Sequence, residues 1–156
     1  MQSNWNGAFK CLAPEQLIER LAWLERPLVF TNGVFDLLHV GHVSCLEAAR
    51  RQGNVLVVAL NSDASAHDLG KPGERPCCTL HERAHVIAAL SCVNWVTWFE
   101  EATPAALLQA VRPDVYVKGS DHAAEQLPET PLVRGWGGRV VTVPYLAGHS
   151  AAARRS

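Results

Sequence analysis

The sequence predicts a doubly wound α/β domain, in which helices cover both faces of a parallel sheet of about five strands. Short apolar runs alternate with amphipathic stretches along the chain, a pattern typical of strand–helix–strand units. The run at residues 55–60 is wholly apolar and rich in valine, as a strand buried on both faces should be. Since 156 residues suit one domain, we expect residues 1–26 to form a helical extension and residues 27–150 to form the core.

Periodicity and flanking residues place the individual elements. The predicted strands are residues 28–31, 55–60, 95–99, 114–118 and 139–143. The predicted helices are residues 14–25, 40–52, 80–90, 104–111 and 128–136. Hydroxyl side chains start helices and glycine often ends them, so Thr103 is the expected N-cap of the fourth helix and Gly53 the expected stop of the second. Residues 62–79 lose periodicity and contain two glycines and two prolines, which predicts a long loop.

Composition and charge exclude several classes of function. Fourteen basic and fifteen acidic residues give a net charge of −1, which argues against a general nucleic-acid binder. The longest apolar run, residues 55–60, is far shorter than the roughly twenty residues that span a membrane. The first ten residues lack the basic start and apolar stretch of a secretory signal. We therefore expect a cytoplasmic protein that binds neither nucleic acid nor membrane.

Cysteine and tryptophan give weaker indications. The five cysteines are odd in number and form no Cys-x-x-Cys pair, so we expect reduced thiols, mostly small core residues. Zinc binding by Cys77 and Cys78 is disfavoured because adjacent cysteines lack the usual ligand spacing. Four tryptophans fall within predicted elements, which favours packing over base stacking: Trp23, Trp95, Trp98 and Trp136.

A pair of histidines follows the first predicted strand. His39 and His42 are three residues apart at the start of a predicted helix, so their imidazoles can lie on one face. Gly41 between them has no side chain to block a ligand, and the amides and dipole at a helix start favour an anion. Ligands of such folds bind at the carboxyl ends of the strands. The arrangement suits a phosphate that gains negative charge during a reaction.

Other interpretations of the two histidines stay open. Both histidines can be incidental to function. A metal pair is disfavoured because zinc helices usually space histidines four apart and supply a third ligand. A dinucleotide site is disfavoured because the first turn lacks Gly-x-Gly-x-x-Gly.

Four segments together resemble the cytidylyltransferase-like nucleotidyltransferases. They are TNGVFDLLHVGH at residues 31–42, NSD at 61–63, HER at 81–83 and VKGSD at 117–121. Within that superfamily the chain is most similar to D-glycero-β-D-manno-heptose 1-phosphate adenylyltransferases, which occur alone or as the second half of a bifunctional kinase and adenylyltransferase. The resemblance implies transfer of AMP from ATP to the sugar 1-phosphate. The products would be pyrophosphate and ADP-heptose, a precursor of the lipopolysaccharide core.

The resemblance also implies a role for individual residues. The catalytic residues would be His39, His42 and Lys71. The nucleotide-binding residues would be Thr31, Asn32, Gly33, Phe35, Gly41, Arg83, Lys118, Gly119, Asp121 and Ser150. The residues that bind the acceptor sugar would be Asp36, Asn61, Asp63 and Arg75. Mg²⁺ would accompany ATP, held mainly by the triphosphate and not by a protein metal site. Gly33 would allow a tight turn after the first strand.

The long loop at residues 62–79 is expected to act as a mobile lid. Lys71 and Arg75 are two cations among its glycines and prolines. Closure over the triphosphate would bring Lys71 beside the reacting phosphates and exclude water. The alternative is that both cations only keep an exposed loop soluble.

Near its C-terminus the chain departs from its relatives, which usually carry a run of hydroxyl residues there. Ser150 keeps the first hydroxyl, and alanines follow it. Two other functions are compatible with the sequence. One is a cytidylyltransferase acting on glycerol 3-phosphate or another small phosphate or phosphonate. The other is a nucleotide-binding protein that has lost catalysis. A homodimer is a further expectation, since relatives often form one.

Overall fold

The computed structural model describes residues 7–69, 76–120 and 122–144. Five parallel strands form one sheet in the order β3-β2-β1-β4-β5. The strands are β1 (Leu28–Gly33), β2 (Val55–Asn61), β3 (Trp95–Phe99), β4 (Val115–Gly119) and β5 (Arg139–Val143). The predicted parallel sheet of five strands is therefore confirmed.

Helices connect the strands and cover both faces of the sheet. They are α1 (Pro14–Arg20), α2 (Val40–Arg50), α3 (Asp63–Leu69), α4 (Leu80–Ala88), α5 (Ala105–Val111) and α6 (Thr130–Gly135). Short 3-10 turns occur at Ala8–Lys10, Leu21–Trp23 and Ala124–Gln126. The doubly wound arrangement is confirmed, although most of the helices are shorter than their periodicity predicts. Across the described ranges, no helix is long and apolar enough to cross a lipid bilayer.

The prediction of a loop throughout residues 62–79 was wrong for its first part, which forms α3. The Ser62 hydroxyl accepts a hydrogen bond from the Ser65 amide at 3.2 Å and so starts the helix. The Ser65 hydroxyl donates to the Glu101 carbonyl at 2.7 Å and fixes the helix beside β3. With so few large apolar residues, this short helix leaves no periodic signal in the sequence.

Two predicted helix boundaries were also wrong. The N-cap position of α5 is Pro104 and not Thr103, and no side-chain hydrogen bond caps this helix. Helix α2 ends with Arg51 as its C-cap, so Gly53 lies beyond the helix. A Cβ atom on Gly53 would lie 2.5 Å from the Pro27 carbonyl oxygen. Glycine is therefore needed there because the chain that enters β1 passes close by.

Two apolar layers hold the sheet between its helices. Alternate residues of a strand point to opposite faces, so Phe30 packs toward α1, α5 and α6 while Val29 packs toward α2 and α4. Every residue of β2 is buried. Because both faces are covered, the ends of the strands are where polar side chains can meet a ligand.

Trp23 and the cysteines are more exposed than the sequence predicts. Trp23 is 84% exposed, so its predicted packing role was wrong. None of the five cysteines is fully buried, and Cys77 is exposed, which corrects the expectation of core thiols.

Candidate active site

The strand order of the sheet reverses beside β1. From β1 the chain crosses through α2 to β2, whereas β4 joins the other side of β1 later in the chain. The β1–β4 ladder contains two residue pairs, Val29 with Val115 and Phe30 with Tyr116, and ends there. The carboxyl ends of β1 and β4 therefore flank the switch point, which is the usual binding crevice of such sheets.

Helix α2 begins at this point with a capping box made of two histidines. His39 is the N-cap, and its Nδ1 accepts a hydrogen bond from the Gly41 amide at 3.1 Å. His42 Nδ1 accepts in return from the His39 amide at 3.3 Å. The rings stack with centroids 3.9 Å apart and planes inclined by 27°. The spacing of three residues thus brings the imidazoles side by side and joins them through the helix start.

These hydrogen bonds determine the tautomer of each ring. An Nδ1 atom that accepts a hydrogen bond carries no proton, so the neutral imidazole keeps its proton on Nε2. Burial and the neighbouring His39 lower the pKa of His42 to about 4, so His42 is neutral at pH 7. The helix start therefore holds imidazoles that can donate through Nε2–H without carrying a full charge.

Phe35 supports the histidine pair from the loop after β1. Its ring meets the His42 ring edge to face, with centroids 5.5 Å apart. Its backbone is left-handed, with φ of 50°, which is uncommon outside glycine and asparagine. A Cβ atom on Gly33 would lie 2.9 Å from the Phe35 ring. The tight backbone geometry predicted at Gly33 thus falls at Phe35, and Gly33 makes room for the ring.

Asp36 ties the loop after β1 to the chain before α4. Its side chain is buried, and its two oxygens accept hydrogen bonds from the amides of Cys77 and Cys78, each at 2.9 Å. Thr79 and Glu82 then form the capping box that starts α4. This box sets the position of Arg83 in the first turn, facing the strand ends.

Arg83 lies at the centre of the polar contacts on the β2 side. Its guanidinium is completely buried and donates to the carbonyl oxygens of Cys78 at 3.1 Å, Val34 at 3.0 Å and Asn61 at 2.7 Å. It also donates to Asp63 Oδ1 at 2.7 Å. These bonds hold the ends of β1 and β2, the start of α3 and the chain before α4 together. This burial excludes the alternative that Arg83 is a solvated surface residue. Phosphate binding by Arg83 stays a prediction.

On the β4 side, Lys118 and Gly119 end the strand. Desolvation lowers the pKa of Lys118, and the negative charge of Glu129 partly opposes this shift. Two strand positions earlier, the Tyr116 hydroxyl donates to Asn32 Oδ1 at 2.6 Å. No motif in the sequence indicates a role for Tyr116 or Glu129. Strand alternation was the available signal for Tyr116, because it places Tyr116 and Lys118 on one face.

The remaining predicted site residues divide into two groups. Thr31 is buried in β1, and buried Asn61 donates its side-chain amide to the Ser65 hydroxyl at 3.0 Å. Four residues lie outside the described ranges, so their predicted roles and the predicted lid stay predictions: Lys71, Arg75, Asp121 and Ser150.

Together the fold and this geometry define a class of protein, an α/β domain with an open switch point and a donor pair at a helix start. The chain belongs to the cytidylyltransferase-like family, whose model matches residues 30–143. The family resemblance drawn from the four motifs is thereby confirmed.

Individual relatives agree with this assignment. The chain is 50% identical over 138 residues to D-beta-D-heptose 1-phosphate adenylyltransferase of Bordetella bronchiseptica, covering 87% of this chain and 85% of that protein. It is 49% identical over 140 residues to the Bifunctional protein HldE of Streptomyces coelicolor, where it spans 30% of the longer protein. A solved structure, the lipopolysaccharide core biosynthesis protein from Thermoplasma volcanium, matches with a TM-score of 0.64 and 27% identity, over 76% of this chain and 97% of that one.

Proposed function

We propose that this protein transfers AMP from ATP to D-glycero-β-D-manno-heptose 1-phosphate and releases pyrophosphate. The product, ADP-heptose, would serve lipopolysaccharide core synthesis. The observation that carries the proposal is the histidine pair at the switch point. The sequence identity of 50% over 138 residues to an adenylyltransferase named for heptose 1-phosphate supports the choice of acceptor. A reaction that consumes ATP is expected in the cytoplasm.

The proposed reaction does not need a general base. A phosphate oxygen of the acceptor, already ionised at pH 7, attacks the α-phosphorus in line. The new O–P bond forms as the bond from that phosphorus to the leaving pyrophosphate breaks, and no proton needs to move. Catalysis then consists of positioning the two substrates and stabilising the charge that develops on the α-phosphate.

The histidine pair suits that second task. Each Nδ1 is held by a backbone amide, so the two rings are oriented before a substrate arrives. Nε2–H of His39 and of His42 would donate to oxygens of the α-phosphate as their negative charge increases. A neutral donor also avoids bringing a charge into a partly buried site, and the pKa of His42, about 4, keeps that ring neutral.

Mg²⁺ carried by ATP is part of the proposal. Within the described residues, no three His, Cys, Asp or Glu side chains are grouped to hold a metal. Asp36 already accepts from two amides and Asp63 from Arg83. Mg²⁺ typically keeps several waters and binds through substrate phosphates, and when bound it would neutralise the triphosphate.

The other predicted contacts complete the proposal. On the nucleotide side, Thr31 to Phe35 end β1 and follow it, Gly41 lies in the first turn of α2, and Lys118 and Gly119 end β4. On the acceptor side, Asp36 follows β1, Asn61 ends β2 and Asp63 begins α3. Their common position at one edge of the sheet supports these roles. A homodimer is part of the proposal as well, to be tested by sedimentation.

A pyrophosphate-release assay tests the proposed function. ATP and CTP are each combined with heptose 1-phosphate and with glycerol 3-phosphate, with Mg²⁺ present throughout. We expect the highest kcat/KM for ATP with heptose 1-phosphate. Faster release from CTP with glycerol 3-phosphate would make the protein a cytidylyltransferase, and absence of release from every pair would reduce it to a binding protein.

A further inference from the structure

Tyr116 makes a polar contact within an otherwise apolar layer. Its side chain is fully buried in β4, and its ring packs on Phe30 with centroids 6.2 Å apart. The hydroxyl donates to Asn32 Oδ1 at 2.6 Å. Burial, with the charge of Glu129, raises the pKa of Tyr116 far above its usual value, so the phenol keeps its proton. Tyr116 is therefore a permanent donor to Asn32.

This bond spans the point where the sheet opens. The β1–β4 ladder ends with the pair Phe30 and Tyr116. Asn32 and Lys118 each lie two residues further along their strands, on the same face of the sheet as that pair. The Tyr116 hydroxyl thus reaches forward to the side chain of Asn32, beyond the last backbone pair of the ladder.

The same bond fixes which end of the Asn32 amide faces the crevice. With Oδ1 committed to the Tyr116 hydroxyl, the two N–H groups of Nδ2 are directed elsewhere. Asn32 is only 9% exposed, and within the described ranges no group accepts a hydrogen bond from its Nδ2. Nδ2 is not among the fully buried polar atoms that lack a partner in the described ranges, so its N–H groups reach the protein surface and are available to an acceptor oxygen of a ligand.

We infer that Tyr116 is a positioning residue, whose hydroxyl holds the Asn32 amide so that its N–H groups bind an acceptor oxygen of the nucleotide. The inference rests on the proposed function and adds to it the residue that orients a predicted nucleotide contact. Tyr116 itself is buried beneath the site and touches no substrate. It acts through Asn32.

The test compares kinetics of Tyr116→Phe, which keeps the ring and removes the hydroxyl, with wild type. We expect a fall of about three- to tenfold in kcat/KM for ATP, the range of one ordinary hydrogen bond. The change should come mainly from KM for ATP, while KM for heptose 1-phosphate stays constant. Asn32→Asp, which keeps the acceptor and removes both N–H donors, should raise KM for ATP at least as much.

A double-mutant cycle separates positioning from a general structural role. In the Asn32→Ala background, Tyr116→Phe should change KM for ATP no further. Independent, multiplied losses would overturn the inference, as would wild-type KM for ATP in Asn32→Asp. Thr97→Val is the matched control, because the Thr97 hydroxyl is also buried in the sheet and has no hydrogen-bond partner among the described residues; its kinetics should be those of wild type.

The outcome is distinguishable from failure of the proposed function. Wild-type protein is assayed first, and absence of pyrophosphate release with every substrate pair would contradict the proposed function itself. An active wild type with an equally active Tyr116→Phe variant would overturn the role of Tyr116 alone. Thermal unfolding of each variant shows whether a kinetic change has a stability cause.

Discussion

His39 and His42 show how much chemistry a few residues can specify. The sequence alone predicts that the two side chains share a face at a helix start, because their spacing requires it. Their tautomers could not be predicted from the sequence, since they depend on which backbone amide each Nδ1 accepts. Nor does spacing reveal that Phe35 adopts a left-handed backbone to place its ring on His42.

Acid should destabilise the protein through His42. Its pKa is about 4 when folded, whereas an unfolded histidine titrates near 6.5. Between these values the unfolded chain binds more protons, so the free energy of unfolding should decrease as pH falls from about 6.5 to about 4. Urea unfolding across this range would measure the decrease. The same measurement on His42→Gln should show a smaller decrease, and equal pH dependence in the two proteins would exclude His42 as a source.

Substituting Gly33 should disturb the histidine pair indirectly. In Gly33→Ala the new methyl group would meet the Phe35 ring at 2.9 Å. Because that ring also contacts His42, we expect a loss of about 1–3 kcal/mol in the free energy of unfolding together with a lower kcat. Gly135→Ala is the control, since a Cβ atom there meets nothing within 4 Å. If Gly33→Ala is as stable and active as that control, the Phe35 contact is unimportant.

At the scale of the elements, apolar patterns in the sequence predict strands and helices, whereas an element held by polar contacts leaves no such pattern. The five strands are predicted because each contains a short run of mostly apolar, often β-branched residues. Helix α3 was missed because hydroxyl and amide contacts, and not an apolar face, hold it in place. Arg83 was identified by its motif, but its complete burial follows from how α4 meets the ends of β1 and β2.

Removing the Arg83 guanidinium should weaken the contacts between these elements and destabilise the protein. Arg83→Met leaves three carbonyl groups and Asp63 without their donor, and we expect a loss of about 3–5 kcal/mol in the free energy of unfolding. Arg134→Met is the matched control, because the Arg134–Glu125 pair is similarly close at 2.8 Å but exposed to solvent. Chemical unfolding of both variants gives the comparison. Equal, small losses would show that the Arg83 contacts contribute no more than a surface ion pair.

At the scale of the whole molecule, burial of both sheet faces confines chemistry to the strand ends. Helices on each side close the faces, and the change of direction between β2 and β4 opens the crevice beside β1. The sequence predicted this architecture and the edge at which the site lies. It could not predict that the β1–β4 ladder ends after two residue pairs, or that the Tyr116 hydroxyl bonds to the Asn32 side chain beyond the last pair.

The central claim is that the histidine pair stabilises the α-phosphate during AMP transfer, and the kcat of His42→Ala tests it most directly. ADP-heptose formation from ATP and heptose 1-phosphate is measured for the variant and wild type, with circular dichroism to verify the fold. Loss of one pre-organised donor should lower kcat by about 10²–10³ with little change in either KM. A folded variant that turns over at the wild-type rate would contradict the account.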